Sequence, residues 1–283
     1  MPPVSTPASA VGWPVLALGF VVGACIGSFL NVCIYRMPAD ESVVRPRSRC
    51  PHCRSPILWY DNLPIMSWLW LRGRCRACRA PIAARYPLVE AASGILAVMA
   101  LAVFGMGIQA LFAFAFTAAL LLITFIDLDH QFIPDEVSLP GILVGLGAAC
   151  LPGGIGIVDA LVGACLGGGL LWAVAWGYER LTGVEGMGFG DVKLLAMVGA
   201  FLGWRAILPV LVMASVTGAL AGVAVMVARG GSRSGRRVAR RLGLRALGPF
   251  AQRAARRTAI PFGPFIALGA LLVLYFPDRT MLW

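Results

Sequence analysis

Charge is what this chain has little of. Only 13% of its 283 residues are Asp, Glu, Lys or Arg, about half the share of a soluble globular domain. Histidine is scarcer, with only His52 and His130 present. His130 alone lies outside the cysteine-rich loop, so no Ser–His or Cys–His constellation is available as nucleophile and base. No G-x-G-x-x-G follows a strand pattern, which excludes a Rossmann-type cofactor loop. No clear internal repeat stands out. The first apolar segment has no basic leading region and runs for about twenty residues, so it does not read as a cleaved signal peptide.

Apolar residues fill the space that charge leaves. They make up 59% of the chain, with a mean hydropathy of +0.82. Long apolar runs with few charges describe an all-α polytopic membrane protein. The pattern predicts eight membrane helices, roughly over 12–35, 88–105, 108–126, 137–151, 156–178, 191–204, 206–228 and 262–277. Several are short for a hydrocarbon core that takes about 20 helical residues to cross. Short spans are tolerated where neighbours cover them or water reaches in.

The net charge of +11 bears on topology and not on nucleic acid. With the N-terminus outside, the inside loops are about 36–87, 127–136, 179–190 and 229–261. Of the 24 basic residues, only Arg205 and Arg279 then fall outside. This orientation sets Asp127 and Asp191 at one cytoplasmic membrane face. Within 229–257, Arg233, Arg236, Arg237, Arg240, Arg241 and Arg245 recur at helical spacing. That segment is either a basic amphipathic helix on anionic lipid or a solvated loop that fixes topology.

The first inside loop contains Cys50-Pro-His-Cys53 and Cys75-Arg-Ala-Cys78, separated by 21 residues. That spacing is close to a four-cysteine zinc site, in which each C-x-x-C knuckle gives two thiolates to one metal. A cytoplasmic loop keeps its thiols reduced, which favours metal over disulfides; free or redox-active cysteines are the alternative. Four thiolates leave no open coordination position, so the zinc would be structural. His52 inside the first knuckle reads as a surface residue. Cys25, Cys33, Cys150 and Cys165 sit singly in apolar helices as small packing residues.

Acids near hydrocarbon are costly and are functional candidates. Asp159 and Asp135 are expected to cap helices, and Glu179 and Glu185 to lie solvated in a loop. Asp191 follows Gly186-Met-Gly188-Phe-Gly190, and position alone leaves cap and catalyst equally open. The glycines let the backbone approach another chain closely. A second acid group, Asp127-Leu-Asp129, lies at the same depth. Two carboxyls that share a proton can activate water, one as base and one as acid. The helix dipole favours an anion at Asp191, which opens a helix, over Asp127, which closes one. That makes Asp191 the base and Asp127 the protonated partner of a jointly titrating pair. A peptide bond held at this depth would belong to a membrane-inserted helix, cut near its cytoplasmic end.

The residues resemble a known family, the type IV prepilin peptidases, which are bifunctional leader peptidase/N-methyltransferases. The likeness runs from about residue 23 to 276. In order, its motifs are Gly27-Ser-Phe-Leu-Asn31-Val-Cys-Ile-Tyr-Arg36, the paired C-x-x-C, Trp59-Tyr60-Asp61-Asn62-Leu63-Pro64 and Arg85-Tyr-Pro-Leu-Val-Glu90. They continue with Ile126-Asp127-Leu-Asp-His-Gln-Phe-Ile-Pro134-Asp135, Gly188-Phe-Gly190-Asp191-Val-Lys193 and Pro261-Phe-Gly-Pro-Phe265. The resemblance implies an aspartic peptidase of the G-x-G-D class in the bacterial inner membrane. Its catalytic acids map to Asp191 and to Asp127, seven residues before Pro134; Asp129 is the fallback for the latter. The family cuts the basic leader of prepilins and pseudopilins after a Gly. It then methylates the new N-terminus, usually Phe, with S-adenosylmethionine.

The resemblance also implies methyl transfer near residues 27–90, with Gly27, Asn31 and Glu90 as contributors. Their alternative readings are close helix packing, a helix-end hydrogen bond and a solvent-facing interfacial acid. The Trp-rich stretch 59–70 is either an interfacial patch against membrane or substrate, or the core of the loop domain. The expected organisation is an N-terminal helix (1–35), a cytoplasmic four-cysteine loop domain (36–87), and a peptidase domain (88–283) carrying the Arg-rich loop 229–261. Two rival classes remain for the residues alone. One is a proton-coupled carrier that uses Asp127 and Asp191 as a relay. The other is a non-enzymatic assembly protein whose zinc loop docks a partner.

Overall fold

The computed structural model describes residues 11–183, 188–230 and 261–276, except for the side chains of 225–230. Glu185, Gly186 and the proposed amphipathic helix over 233–247 lie outside the described residues. Within them the chain is helical, and its only β pairing is two isolated bridges. The order is α1 (Trp13–Arg36), the short α2 (Met66–Trp70), α3 (Arg85–Phe104), α4 (Ile108–His130), α5 (Asp135–Ala149), α6 (Ile157–Thr182), α7 (Phe189–Leu202), α8 (Ile207–Gly230) and α9 (Gly263–Tyr275).

Each of the eight apolar segments becomes a helix. Five are long and apolar enough to cross a membrane: those at Trp13–Ala39, Arg85–Phe104, Ile108–His130, Ile157–Thr182 and Trp204–Ala224. The other three, α5, α7 and α9, have 15, 14 and 13 residues. Eight full spans are therefore not established. The short α7 is sheathed by protein. Leu194, Leu195, Met197, Val198 and Ala200 are fully buried, and neighbours cover what lipid would otherwise meet.

α4 is the shared element of two cores. Its Ala118, Leu122 and Ile126 pack with Leu30, Cys33 and Ile34 of α1 and Val89 of α3. Its Phe116, Leu120 and Ile123 pack with α7, α8 and α9 through Leu195, Val210 and Ile266. Helix contacts in a bilayer rely on close packing of small residues. A Cβ on Gly27 of α1 would lie 2.7 Å from Glu90 Cα of α3. A Cβ on Gly199 of α7 would lie 2.1 Å from the Gly163 carbonyl of α6.

Chain chemistry sets the helix ends that matter. α4 does not stop at residue 126, where its hydropathy falls. It continues to His130 and ends at Gln131, whose backbone is left-handed (φ 57°) and whose N–H donates to the Asp127 carbonyl at 2.9 Å. Pro134 then starts the next segment, since proline favours extended backbone in the residue before it. α7 opens after Gly188 in extended conformation, which puts Asp191 in its first turn. α9 opens at Gly263 with a proline in its first turn, where the missing N–H has no intrahelical partner to lose.

Candidate active site

Three helix ends meet at Asp127. Asp127 is only 5% exposed. Its Oδ2 accepts the backbone N–H of Gly263 at 3.1 Å, which joins the last turn of α4 to the first of α9. A Cβ on Gly263 would stand 2.5 Å from that oxygen, so the approach requires glycine. Ile133, in the link after α4, closes the floor. It lies against both Gly263 and Gly190, the residue before Asp191. Asp191 is half-buried in the first turn of α7. The two carboxyls are close enough to interact electrostatically, although 64 positions separate them in the chain.

Asp129 has a different environment. Its side chain is 37% exposed and pairs with Arg85 of α3. Arg85 also donates to the Phe125 carbonyl at 3.3 Å and lies over the Phe125 ring. Asp135 does not cap α5. It accepts both of its hydrogen bonds from Lys193 Nζ, at 2.6 and 2.7 Å. Asp159 likewise lies inside the first turn of α6, where Oδ1 accepts Trp204 Nε1–H at 3.2 Å. The partners Gly263, Lys193 and Arg85 carry no local signal of these roles, because each contact crosses between distant segments.

The cysteine loop contains a short internal repeat. Arg49-Cys-Pro-His-Cys-Arg-Ser-Pro56 and Arg74-Cys-Arg-Ala-Cys-Arg-Ala-Pro81 share one pattern. Their folds match as well. Cys50 N–H donates to Ser55 O and Arg54 N–H to Cys50 O, at 3.0 and 2.9 Å. Cys75 N–H donates to Ala80 O and Arg79 N–H to Cys75 O, at 2.8 and 3.0 Å. Bridges Arg49–Pro56 and Arg74–Pro81 flank the two knuckles, and Arg54 and Arg79 both take the left-handed turn.

The two knuckles bring the sulfurs of Cys50, Cys53, Cys75 and Cys78 within 4.8 Å of one another. Cys50 and Cys78 Sγ are 3.8 Å apart. A tetrahedron with metal–sulfur bonds of about 2.3 Å places its sulfurs about 3.8 Å apart, so the donor set fits zinc. Hydrogen bonds with Ser55 lower Cys53 to about 6. Backbone hydrogen bonds with Cys78 and Ala77 lower Cys75. Cys78 moves the other way: its backbone hydrogen bond with Ala80 lowers it, but loss of solvent and the neighbouring thiols push it up to about 11, so the hydrogen bonds favour thiolate, the form that a metal needs, at Cys53 and Cys75.

Gly27, Asn31 and Glu90 lie along one α1–α3 seam. Gly27 is filled by the α3 backbone. Asn31 Nδ2 donates to the Tyr86 carbonyl at 3.1 Å. Glu90 is not solvent-facing: it is 8% exposed, and its Oε2 accepts the Ile65 N–H at 2.7 Å. All three are engaged in holding helix to helix or helix to loop. The stretch 59–70 is not a loop core either, since Trp59 and Trp70 are 79% and 80% exposed.

Known proteins resemble both halves of this arrangement. The bacterial peptidase A24 N-terminal domain matches residues 21–104, and the type IV leader peptidase family matches residues 114–223. The prepilin leader peptidase/N-methyltransferase of Aeromonas hydrophila is 38% identical over 300 residues, covering 98% of this chain and 96% of the relative. Its counterpart in Burkholderia pseudomallei (strain 1026b) is 39% identical over 286 residues, with 92% and 85% covered. That of Myxococcus xanthus (strain DK1622) is 45% identical over 214 residues, with 75% and 63% covered. No solved structure matches the chain.

Proposed function

This chain belongs to the type IV leader peptidase family, and on that premise we propose that Asp127 and Asp191 are its proteolytic pair. The protein is a membrane enzyme that cleaves prepilin leaders and N-methylates the product. What supports the assignment is that the two acids lie at the ends of α4 and α7, either side of Ile133, close enough to interact electrostatically. Asp129, the other acid of its motif, is committed to Arg85.

In this reading one carboxylate takes a proton from water as the water attacks the scissile carbonyl. The other carboxyl gives its proton to the departing amine. The α4 dipole disfavours charge on Asp127, while the Gly263 N–H favours it. The two effects oppose one another, so the roles of acid and base belong to the pair. With one oxygen anchored to Gly263, Asp127 presents the other to water. The substrate is a prepilin or pseudopilin helix seated in the bilayer, with its leader on the cytoplasmic side.

The orientation with the N-terminus outside, in the bacterial inner membrane, is part of the same proposal, as is the division into 1–35, 36–87 and 88–283. The asymmetry of the arginines supports it. Zinc on Cys50, Cys53, Cys75 and Cys78 would serve as a structural closure of the loop. Methyl transfer requires a donor, for which the family implies S-adenosylmethionine. We assign Gly27, Asn31 and Glu90 to packing and not to that donor.

The test is incubation of a prepilin with the wild type, Asp127→Asn and Asp191→Ala, followed by mass spectrometry of the N-terminus. The wild type should yield a shortened, methylated chain. Both variants should leave the leader attached, with helix content unchanged. Cleavage by either variant at the wild-type rate would remove that residue from the mechanism.

A further inference from the structure

The stretch between the two cysteine knuckles exposes a run of large apolar side chains. Leu58, Trp59, Leu63, Met66, Leu69 and Trp70 are all exposed. Trp68 is turned inward instead, with Nε1–H donating to the Ile82 carbonyl at 3.1 Å. Trp68 thus holds the stretch to the chain behind it while Trp59 and Trp70 face outward.

Two polar contacts fix the height of this surface. Arg76 grips Asp61 with both arms, at 2.7 and 2.6 Å, which ties the stretch to the second knuckle. Glu90 accepts the Ile65 N–H at 2.7 Å, which ties it to α3. Glu90 lies five residues beyond Arg85, the first residue of α3, which is about 7 Å along the helix axis. α3 is one of the membrane-spanning helices, and Arg85 pairs with Asp129 where α4 ends. Ile65 is therefore held beside the second turn of α3, inside the end of a helix long and apolar enough to cross a membrane.

The backbone is strained at this contact. Ile65 has φ 62° and ψ −51°, and the Met66 N–H returns to the Pro64 carbonyl at 2.5 Å. This is a tight γ-turn of the rare hand, with a β-branched residue at its centre. Glu90 holds the turn, and Leu63 and Met66, which flank its Pro64 and Ile65, are both exposed.

We infer that residues 57–70 are an interfacial anchor, occupied by phospholipid of the leaflet that α1 and α3 enter. Trp rings settle at the headgroup level, where the body of the ring is apolar and the N–H remains wet. Arg54, Arg72, Arg74 and Arg79 flank the stretch and are exposed, placed for anionic headgroups. Tyr35 at the end of α1 and Tyr86 and Leu88 at the start of α3 are exposed as well. This anchor would hold the cysteine knuckles at the bilayer surface and not free in the cytoplasm.

The experiment uses the full chain in nanodiscs of phosphatidylcholine and phosphatidylglycerol. Hydroxyl-radical footprinting with mass spectrometry reads each residue of the wild type. His52, exposed in the first knuckle, should be oxidised, while Trp59 and Trp70 should be protected from oxidation. Lipids brominated near the headgroup should quench the emission that Trp59→Phe/Trp70→Phe removes, and do so more than lipids brominated near the chain end. Oxidation of Trp59 and Trp70 to the extent of His52 overturns the anchor. So does protection that appears only when a prepilin is added, since the surface would then be a substrate dock.

Discussion

Asp127 and Gly263 are joined by one hydrogen bond, 3.1 Å from backbone N–H to Oδ2, across 136 positions of chain. The bond needs the hydrogen that glycine carries in place of a Cβ. Gly263→Ala would set a methyl group 2.5 Å from that oxygen. Alanine costs nothing in helix propensity at this position. Activity should therefore fall without loss of folding. A catalytic group displaced by about 1 Å costs on the order of 10²-fold. Cleavage assays beside thermal melts of Gly263→Ala should show that fall at unchanged Tm. Wild-type cleavage would mean that the bond is incidental.

Asp127 and Asp129 should separate under mutation. Asp127→Asn removes one member of a proton-sharing pair, and loss of general acid–base help costs about 10² to 10⁴-fold. Asp129→Asn breaks an ion pair whose side chains are about a third exposed (32% and 37%), worth roughly 0–1 kcal/mol. Its effect on cleavage should stay within a few-fold. The pH profile offers a second reading. Two carboxyls of a coupled pair give a bell, and replacing one with an amide should remove a limb. A bell with both limbs intact in Asp127→Asn would refute the pairing with Asp191.

The four cysteines should hold one zinc per chain. Atomic spectroscopy of the wild type should find about one equivalent, and Cys50→Ser/Cys75→Ser should find almost none. Without the metal, the loop loses the closure that substitutes for a core. Trypsin should then cut faster at Arg72 and Arg74, both exposed between the knuckles. The membrane helices should keep their circular dichroism. Full zinc retention in the double variant would rule out the four-cysteine site.

Hydropathy and ligand spacing were local signals, and they exposed most of the frame. All eight apolar segments fold as helices. The C-x-x-C pairs converge, because each knuckle is closed by bonds within six residues. The end of α4 is not legible in the hydropathy, because Asp127-Leu-Asp-His130 is polar yet still helical; a left-handed Gln131, and not polarity, ends it. The repeat at Arg49–Pro56 and Arg74–Pro81 is offset by 25 residues (74 − 49), but it matches over eight residues and in two copies only, too little self-similarity to stand out as the periodic pattern by which repeat folds are read. Gly263, Arg85 and Lys193 act on partners far along the chain, and no window of sequence contains both ends of such a contact. Glu90 looked like an interfacial acid because nothing near it in the chain shows that Ile65 donates to it.

Lys193 should act as a positioning residue for Asp191, two places before it. Its Nζ holds both oxygens of Asp135, the first residue of α5, and lies 5.4 Å from the Phe189 ring. Asp135 follows Pro134 and Ile133, and Ile133 touches Gly190 and Gly263. The pair therefore clasps the start of α7 to the segment that underlies both carboxyls. With the Asp135 side chain 52% exposed, the pair adds less than about 1 kcal/mol to stability. Its effect on geometry should be larger. Lys193→Met should lower kcat about tenfold, within what a small misplacement costs, while Tm and KM stay near wild type. Asp135→Asn should do the same, and the double variant should be no worse than either, since one interaction is lost in all three. Exchange of the charges, Lys193→Asp with Asp135→Lys, should recover part of the rate. Losses that multiply in the double variant would show that the two residues act separately and that no clasp sets Asp191.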